Sequence, residues 1–209
     1  MALRVPYNIP GSQQWQWMEI FDRLGQERII FLNQTLTTSL ANSLIASMLY
    51  LESDDNNKPI CLYINSYGDP VATGEADESA GFMSVIAALS IYDTMQHLKS
   101  EIITICLGQS IGLSNVILSS GSKGKRASLP NSMLALSQPY SGMSGQATDI
   151  QVNAAETVAK RELIAEILAR NTGKSVTQIN RDMQRMFYMS PAEAQEYGLI
   201  DRVLHSSKP

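Results

Sequence analysis

The sequence predicts an α/β protein built on a mainly parallel sheet. Three observations carry this. Short apolar and β-branched runs recur along the chain, the stretches between them repeat their apolar residues at helical spacing, and no linker, repeat or low-complexity segment divides the 209 residues. One domain is expected over 1–209.

In chain order, residues 1–26 form an N-terminal segment and a first helix, into which Trp15, Trp17 and Met18 are expected to pack. The first strand run is Arg28 to Leu32. Ser39 to Leu51 follows, where Leu40, Leu44, Ser47, Met48 and Leu51 share one helical face. Ile60 to Asn65 is the second strand run. Phe82 to Leu98 repeats the helical pattern through Phe82, Val85, Ile86, Leu89, Tyr92 and Met95, and Glu101 to Leu107 and Ser132 to Leu136 are further strand runs. Strands alternating with helices of this length indicate βαβ units. Asp149 to Arg170 is a long helix stopped at Asn171-Thr172-Gly173, whose apolar residues drift around its circumference, so it could project and be covered by another copy. Ser175 opens a shorter helix, Ser190-Pro191-Ala192-Glu193 opens another, and a strand near Leu204 closes the chain.

Composition excludes several classes of function. Sixteen Lys and Arg against twenty Asp and Glu leave a net charge of -4, with no field to attract nucleic acid or an anionic membrane. No apolar run approaches the roughly 20 residues of a membrane span, and the N-terminal residues resemble neither a secretory signal nor a transit peptide, so a cytoplasmic address is expected. Cys61 and Cys106 sit in apolar runs and are expected as buried thiols; nothing calls for a metal or a cofactor. Charged residues are 17% of the chain, against about 25% in an average soluble domain. Oligomer interfaces would explain the deficit, and so would a neutral polar surface.

Three strings are distinctive: Gly124-Lys125-Arg126-Ala127-Ser128-Leu129-Pro130-Asn131, then Gln138-Pro139, then Gly145-Gln146-Ala147-Thr148-Asp149-Ile150. With Glu27 to Leu32, Tyr63-Ile64-Asn65-Ser66, Ile91 to Gln96 and Glu196 to Asp201, they resemble the Clp peptidase (ClpP) family over nearly the whole chain. The resemblance implies a ClpP/crotonase-like fold of repeated βαβ units with a protruding handle region over 132–173. It also implies stacked heptameric rings around a chamber that receives unfolded protein substrates from a Clp-family ATPase.

The resemblance also assigns the catalytic positions, and here the chain departs from the family. The serine of the family's Gly-x-x-x-Ser-Met-Gly pattern falls on Gly112, the histidine before Gln-Pro on Ser137, and the aspartate after Arg185 on Met186. None of the three can act as nucleophile, base or orienter. Ser110 and Ser114 flank Gly112; on a helix each would point roughly 200° away from it. His97, at the end of the helix beginning near Phe82, and His205, near the C-terminus, are the only histidines and are expected to be solvated or locally bonded, since a general base needs hydrogen-bond reach to its nucleophile. Where the family carries Ser-Pro-Gly-Gly in its oxyanion region, this chain has Ser66-Tyr67-Gly68-Asp69-Pro70, which adds a carboxylate at Asp69 and a residue without an N–H at Pro70. Residues 69–84 resemble an insertion, with Glu75, Asp77 and Glu78, read either as a solvated acidic loop or as a plug or partner contact.

An insertion beside a vacant triad resembles the ClpR type, the noncatalytic paralogue of cyanobacteria and plastids, which shares rings with active ClpP-type subunits; a plastid chain would lie in the stroma. Tyr63 and Leu204 match the family's ATPase-docking pocket, whose other aromatic positions here are Cys61, His97 and Ala127. Arg185 and Gln146 match contacts to the opposing heptameric ring. Gly121 to Arg126 lacks the spacing of a phosphate loop and reads as a basic turn. The expected function is a noncatalytic subunit of an ATP-dependent protease core. A serine peptidase with a displaced nucleophile such as Ser114, and a scaffold outside any protease, are the alternatives.

Overall fold

The computed structural model describes residues 3–8, 15–69, 80–141 and 145–205. Pro70, Glu75, Asp77 and Glu78, with Gly142 and Ser144, lie outside the described residues.

The chain opens with an antiparallel hairpin, β1 (Arg4–Asn8) and β2 (Trp15–Glu19), followed by the short helix α1 (Ile20–Gln26). This corrects the expectation for the tryptophans. Trp15 and Trp17 stand on a strand, 68% and 70% exposed, because alternate residues of a two-stranded ribbon face opposite sides and only the Val5, Tyr7 and Met18 side is partly covered.

Then come β3 (Ile29–Leu32), α2 (Thr38–Asp54), β4 (Ile60–Ser66), α3 (Ala80–His97), β5 (Ile102–Ile111), α4 (Ser114–Ser119), β6 (Arg126–Ser128) and β7 (Met133–Leu136). The chain ends with α5 (Ala147–Thr172), α6 (Val176–Asp182), β8 (Phe187–Met189), α7 (Pro191–Tyr197) and β9 (Arg202–Val203). The sheet runs β3-β4-β5-β6-β9, all parallel, as the alternation of strands and helices requires. β5 is twice used. Its first half pairs with β6 and its second half, through Gln109, Ser110 and Ile111, pairs with β7, which carries β8 antiparallel on its far side. Where the two halves meet the register slips: Ile64 pairs with Cys106 but Ser66 with Ser110. Such a bulge re-aims the end of a strand.

Helix signals in the sequence act as read. Thr37 caps α2 by accepting from Leu40 N–H, Ser175 caps α6, and Ser190 with Glu193 forms a capping box before Pro191. Gly173 ends α5 at φ 77°, the left-handed conformation that glycine adopts without penalty. α3 begins at Ala80, so the loop expected over 69–84 gives way to helix before its end. No residue of α5 before Ile164 is buried, and Val152 and Val158 are 65% and 52% exposed. Only the last third of α5 joins the core.

Two buried arginines brace the sheet. At the N-terminal rim Arg28, buried and at φ 63°, donates to the carbonyls of Leu51, Lys58 and Pro59 and to Ser100 Oγ, with Asp54 at 3.7 Å. Glu52 accepts from the Lys99 and Ser100 amides beside it. One guanidinium thus satisfies three carbonyls, one from the last turns of α2 and two from the connection into β4, as its fork of donors allows. At the far edge Arg126 makes a bidentate pair with Asp201, 3.0 and 2.6 Å, and reaches the Ser119 and Asn171 carbonyls. Cys106 is buried, and its burial pushes the thiol up to about 11. Cys61 is only half-buried, against expectation, because its side chain lies on the opposite face of β4 from Ile60 and Leu62.

Candidate functional site

The C-terminal ends of β4, β5 and β7 converge, the rim at which open α/β sheets place their sites. Gly112 is the hinge between β5 and α4, at φ 55°. The stretch around it is therefore not the helix assumed for Ser110 and Ser114. Ser110 is on the strand, Gly112 in the turn and Ser114 opens the helix, the strand-turn-helix form in which α/β-hydrolases hold a nucleophile exposed.

Both flanking serines turn inward. Ser110 and Ser114 have no exposed surface, their hydroxyls are 3.0 Å apart, and Ser114 Oγ lies within hydrogen-bond distance of the Ser66 and Ile111 carbonyls. Buried hydroxyls occupied in this way hold the turn.

Two of the positions assigned by resemblance meet directly. A Cβ built at Gly112 would stand 2.9 Å from Ser137 Oγ, the only contact beyond its chain neighbours that it would make within 4 Å among the described residues. The third position follows from the strand register. β7 and β8 pair Leu134 with Met189, Ala135 with Tyr188 and Leu136 with Phe187, so Ser137 leaves the end of β7 where Met186 leads into β8. Gln138 N–H donates to the Met183 carbonyl at 3.0 Å, so the two segments stay close beyond the ladder. Gly112, Ser137 and Met186 thus stand at the adjoining ends of β5, β7 and β8. Among the described residues no histidine joins them: His97 ends α3 and His205 follows β9, both exposed.

Gly68 closes the site on the β4 side. At φ 76°, its added Cβ would lie 2.5 Å from the Ile111 carbonyl and 3.0 Å from the Leu113 and Ser114 nitrogens, so no side chain fits there. Its own N–H donates to Ser66 Oγ at 2.9 Å, a hydroxyl turn over Ser66-Tyr67-Gly68 that the sequence reading passed over. Asp69 is 4% exposed, and its Oδ2 accepts the Tyr140 N–H at 3.1 Å. Neither Tyr140 nor Gly81, which packs on the Tyr140 carbonyl, is marked by any local pattern.

The remaining predicted residues lie elsewhere. Tyr63, half-buried on the outer face of β4, stacks on Phe31 at 5.4 Å, and Phe31 meets Phe21 edge-on at 5.3 Å. Leu204 is half-buried and its N–H pairs with the Ser128 carbonyl. Ala127 is fully buried between them in the sheet. Arg185 is exposed and makes no ion pair among the described residues; Gln146, also exposed, is the N-terminal cap residue of α5. Among the described residues no group of acidic, His and Cys side chains could hold a metal, and no helix is long and apolar enough to cross a membrane.

Comparison with known proteins agrees with this architecture. The Clp protease family pattern matches residues 11–77 and 78–207, the two stretches abutting inside the segment read as inserted. The chain is 45% identical over 201 residues to the ATP-dependent Clp protease proteolytic subunit 3 of Synechococcus sp. (strain CC9605), covering 96% of this chain and 94% of that one. It is 44% identical over the same length and shares to proteolytic subunit 2 of Prochlorococcus marinus (strain MIT 9313) and to proteolytic subunit 1 of Gloeobacter violaceus. With a family pattern spanning nearly all of its length and relatives this similar end to end, the chain belongs to the Clp protease family.

Proposed function

We propose that the chain is a noncatalytic, ClpR-type subunit of an ATP-dependent Clp protease core, built into mixed heptameric rings with active ClpP-type subunits. The observation that carries this reading is Gly112 within one side chain's reach of Ser137, with Met186 just before the adjoining end of β8. Acyl transfer needs a nucleophile, a base to take its proton and a group to orient the base. A hydrogen, a hydroxyl and a thioether occupy the three places.

The oxyanion strip supports the same reading. The Gly68 amide is engaged by Ser66, and a buried carboxylate follows it at Asp69, where developing negative charge would be opposed. The displaced-nucleophile reading has little in its favour, since Ser114 is sealed from solvent and its hydroxyl is engaged by Ser110 and the backbone. The exposed apolar residues of α5, the free Arg185 and the low charge content support assembly with other subunits. Tyr63 and Leu204 would contribute to ATPase docking, and the chamber would hold unfolded substrates that the active subunits cleave.

A fluorophosphonate probe tests the chemistry. No labelling of the purified chain is expected, while an active ClpP-type subunit in the same reaction labels; stoichiometric labelling of this chain overturns the reading. Native mass spectrometry with and without the active subunit then tests mixed assembly.

A further inference from the structure

A cavity of about 300 Å³ lies between β8, α7 and the turn that follows α5, apart from the catalytic positions. Its walls include Phe187 and Tyr188 of β8, Glu193, Glu196 and Tyr197 of α7, and Lys174. Tyr197 is the fixed part. It is buried, its hydroxyl donates to Asp182 Oδ2 at 2.8 Å, and Phe187 packs against its ring with centroids 5.9 Å apart. Donation to a carboxylate enriches the ring in electron density, and its face already holds a cation: the Lys174 ammonium stands 5.3 Å from the centroid.

The carboxylates outnumber that ammonium. Glu193 and Glu196 are three residues apart and so share one face of α7. Glu193 accepts from the Ser190 N–H and hydroxyl at 2.8 and 2.7 Å, whereas Glu196 is exposed and makes no ion pair among the described residues. Phe187 and Tyr188 are 38% and 59% exposed beside it. β8 is also an edge, pairing only with β7 among the described residues, and such an edge offers its outer main-chain groups to another strand.

We propose that this surface binds an extended segment of a partner polypeptide through an arginine, the segment adding to the free edge of β8 and the guanidinium entering the cavity between the aromatic rings and Glu196. Arginine meets both halves of the site at once. Its planar group stacks on an aromatic face while its fork of N–H donors takes a carboxylate, a combination that the compact, strongly hydrated ammonium of lysine serves less well. The surplus carboxylate turns acidic segments away. Lys174 competes from within for the Tyr197 face, which limits the affinity and keeps the contact reversible. The inference uses none of the catalytic positions and holds whether or not the chain hydrolyses peptides.

The test is fluorescence anisotropy on the full-length chain with a fluorescein-labelled eight-residue peptide of Val, Thr and Ser carrying one central Arg, and with the same peptide carrying citrulline or Lys there. The Arg peptide is expected to bind at least about tenfold more tightly than the citrulline peptide, with the Lys peptide between them. Glu196→Gln and Tyr188→Ala, both at exposed positions and each checked for its thermal transition, should bring the Arg peptide to the citrulline level. Lys174→Gln should tighten the Arg peptide by about threefold, because the internal competitor is gone. Equal affinity for the Arg and citrulline peptides overturns the proposal, as does an arginine preference that survives either Glu196→Gln or Tyr188→Ala, or weaker binding in Lys174→Gln. Loss of self-association in Glu196→Gln by native mass spectrometry, with peptide affinity unchanged, would assign the surface to a second copy of this chain and overturn it too.

Discussion

A Cβ at Gly112 would stand 2.9 Å from the hydroxyl of Ser137, so the turn after β5 and the end of β7 approach within the reach of one side chain. The backbone that would bring a nucleophile to a base is present, and the groups are not. That separation of frame from chemistry sets what each variant can be expected to do.

The triple change Gly112→Ser, Ser137→His and Met186→Asp should restore little or no peptide hydrolysis. Serine at φ 55° carries backbone strain, and its Cβ would sit against whatever side chain replaces Ser137. The Gly68 amide is already donating, and loss of one oxyanion donor costs about 10² to 10³ in turnover. Replacing residues 68–84 by the short Gly-Gly form as well should raise the rate. Robust hydrolysis of a fluorogenic peptide by the triple variant alone would show that the strip is a bystander.

Gly68→Ala and Gly124→Ala separate two costs of a side chain at positive φ. Gly124, at φ 82° with open space around it, should lose about 1 kcal/mol from conformation alone. Gly68→Ala adds a clash with the Ile111 carbonyl at 2.5 Å and should lose about 3 kcal/mol or more. Urea midpoints compare them, and equal losses would mean that the turn gives way.

Asp201→Asn should cost about 3 kcal/mol at pH 7, because it leaves the Arg126 guanidinium buried without its counter-charge. Burial by itself raises the Asp201 carboxyl, but the side-chain and backbone hydrogen bonds from Arg126 outweigh it and hold the group below its usual 3.8. With the folded value below the unfolded one, the unfolded chain binds the proton more readily, so this stability is present at neutral pH and disappears as pH falls through the depressed value. The gap between wild type and variant in denaturant midpoint should therefore narrow in acid. A gap constant with pH would locate the loss in packing.

Arg185→Ala should shift double rings toward single rings in sedimentation of the mixed complex, leaving the fold of the chain intact. Arg185 is exposed and spends its charge on no partner among the described residues of its own chain, which suits a contact made elsewhere. An unchanged profile would remove it from the ring-to-ring contact.

Local signals made the frame legible. Apolar runs mark β3, β4, β5 and β7, and the caps at Ser175, Ser190 and Gly173 mark helix ends, because both effects act between neighbours in sequence. The hairpin is not legible because two large aromatics at Trp15 and Trp17 give the same signal whether they fill a helix interface or stand as alternate residues of a strand. β6 is three residues long, one of them Arg126, and depends on Asp201 from the far end of the chain. At the site, resemblance supplied the three positions, but nothing local announces that β7 pairs with β8 beside Ser137 or that Asp69 reaches Tyr140. Those relations exist only once β7 has paired with β8 and the ends of residues 70–80 have been brought together.

The Arg28 fork has a bearing on how such a chain can change over time. It ties the start of β3 to the connections that lead into β4 and β5, at the rim away from Gly112. Folding is thereby secured at one end of the sheet while the Gly112 turn lies at the other, so substitutions at that rim need not compromise the sheet itself. A lineage in which a neighbouring subunit supplies the hydrolysis can let that rim drift, and selection on assembly alone will keep the protein intact.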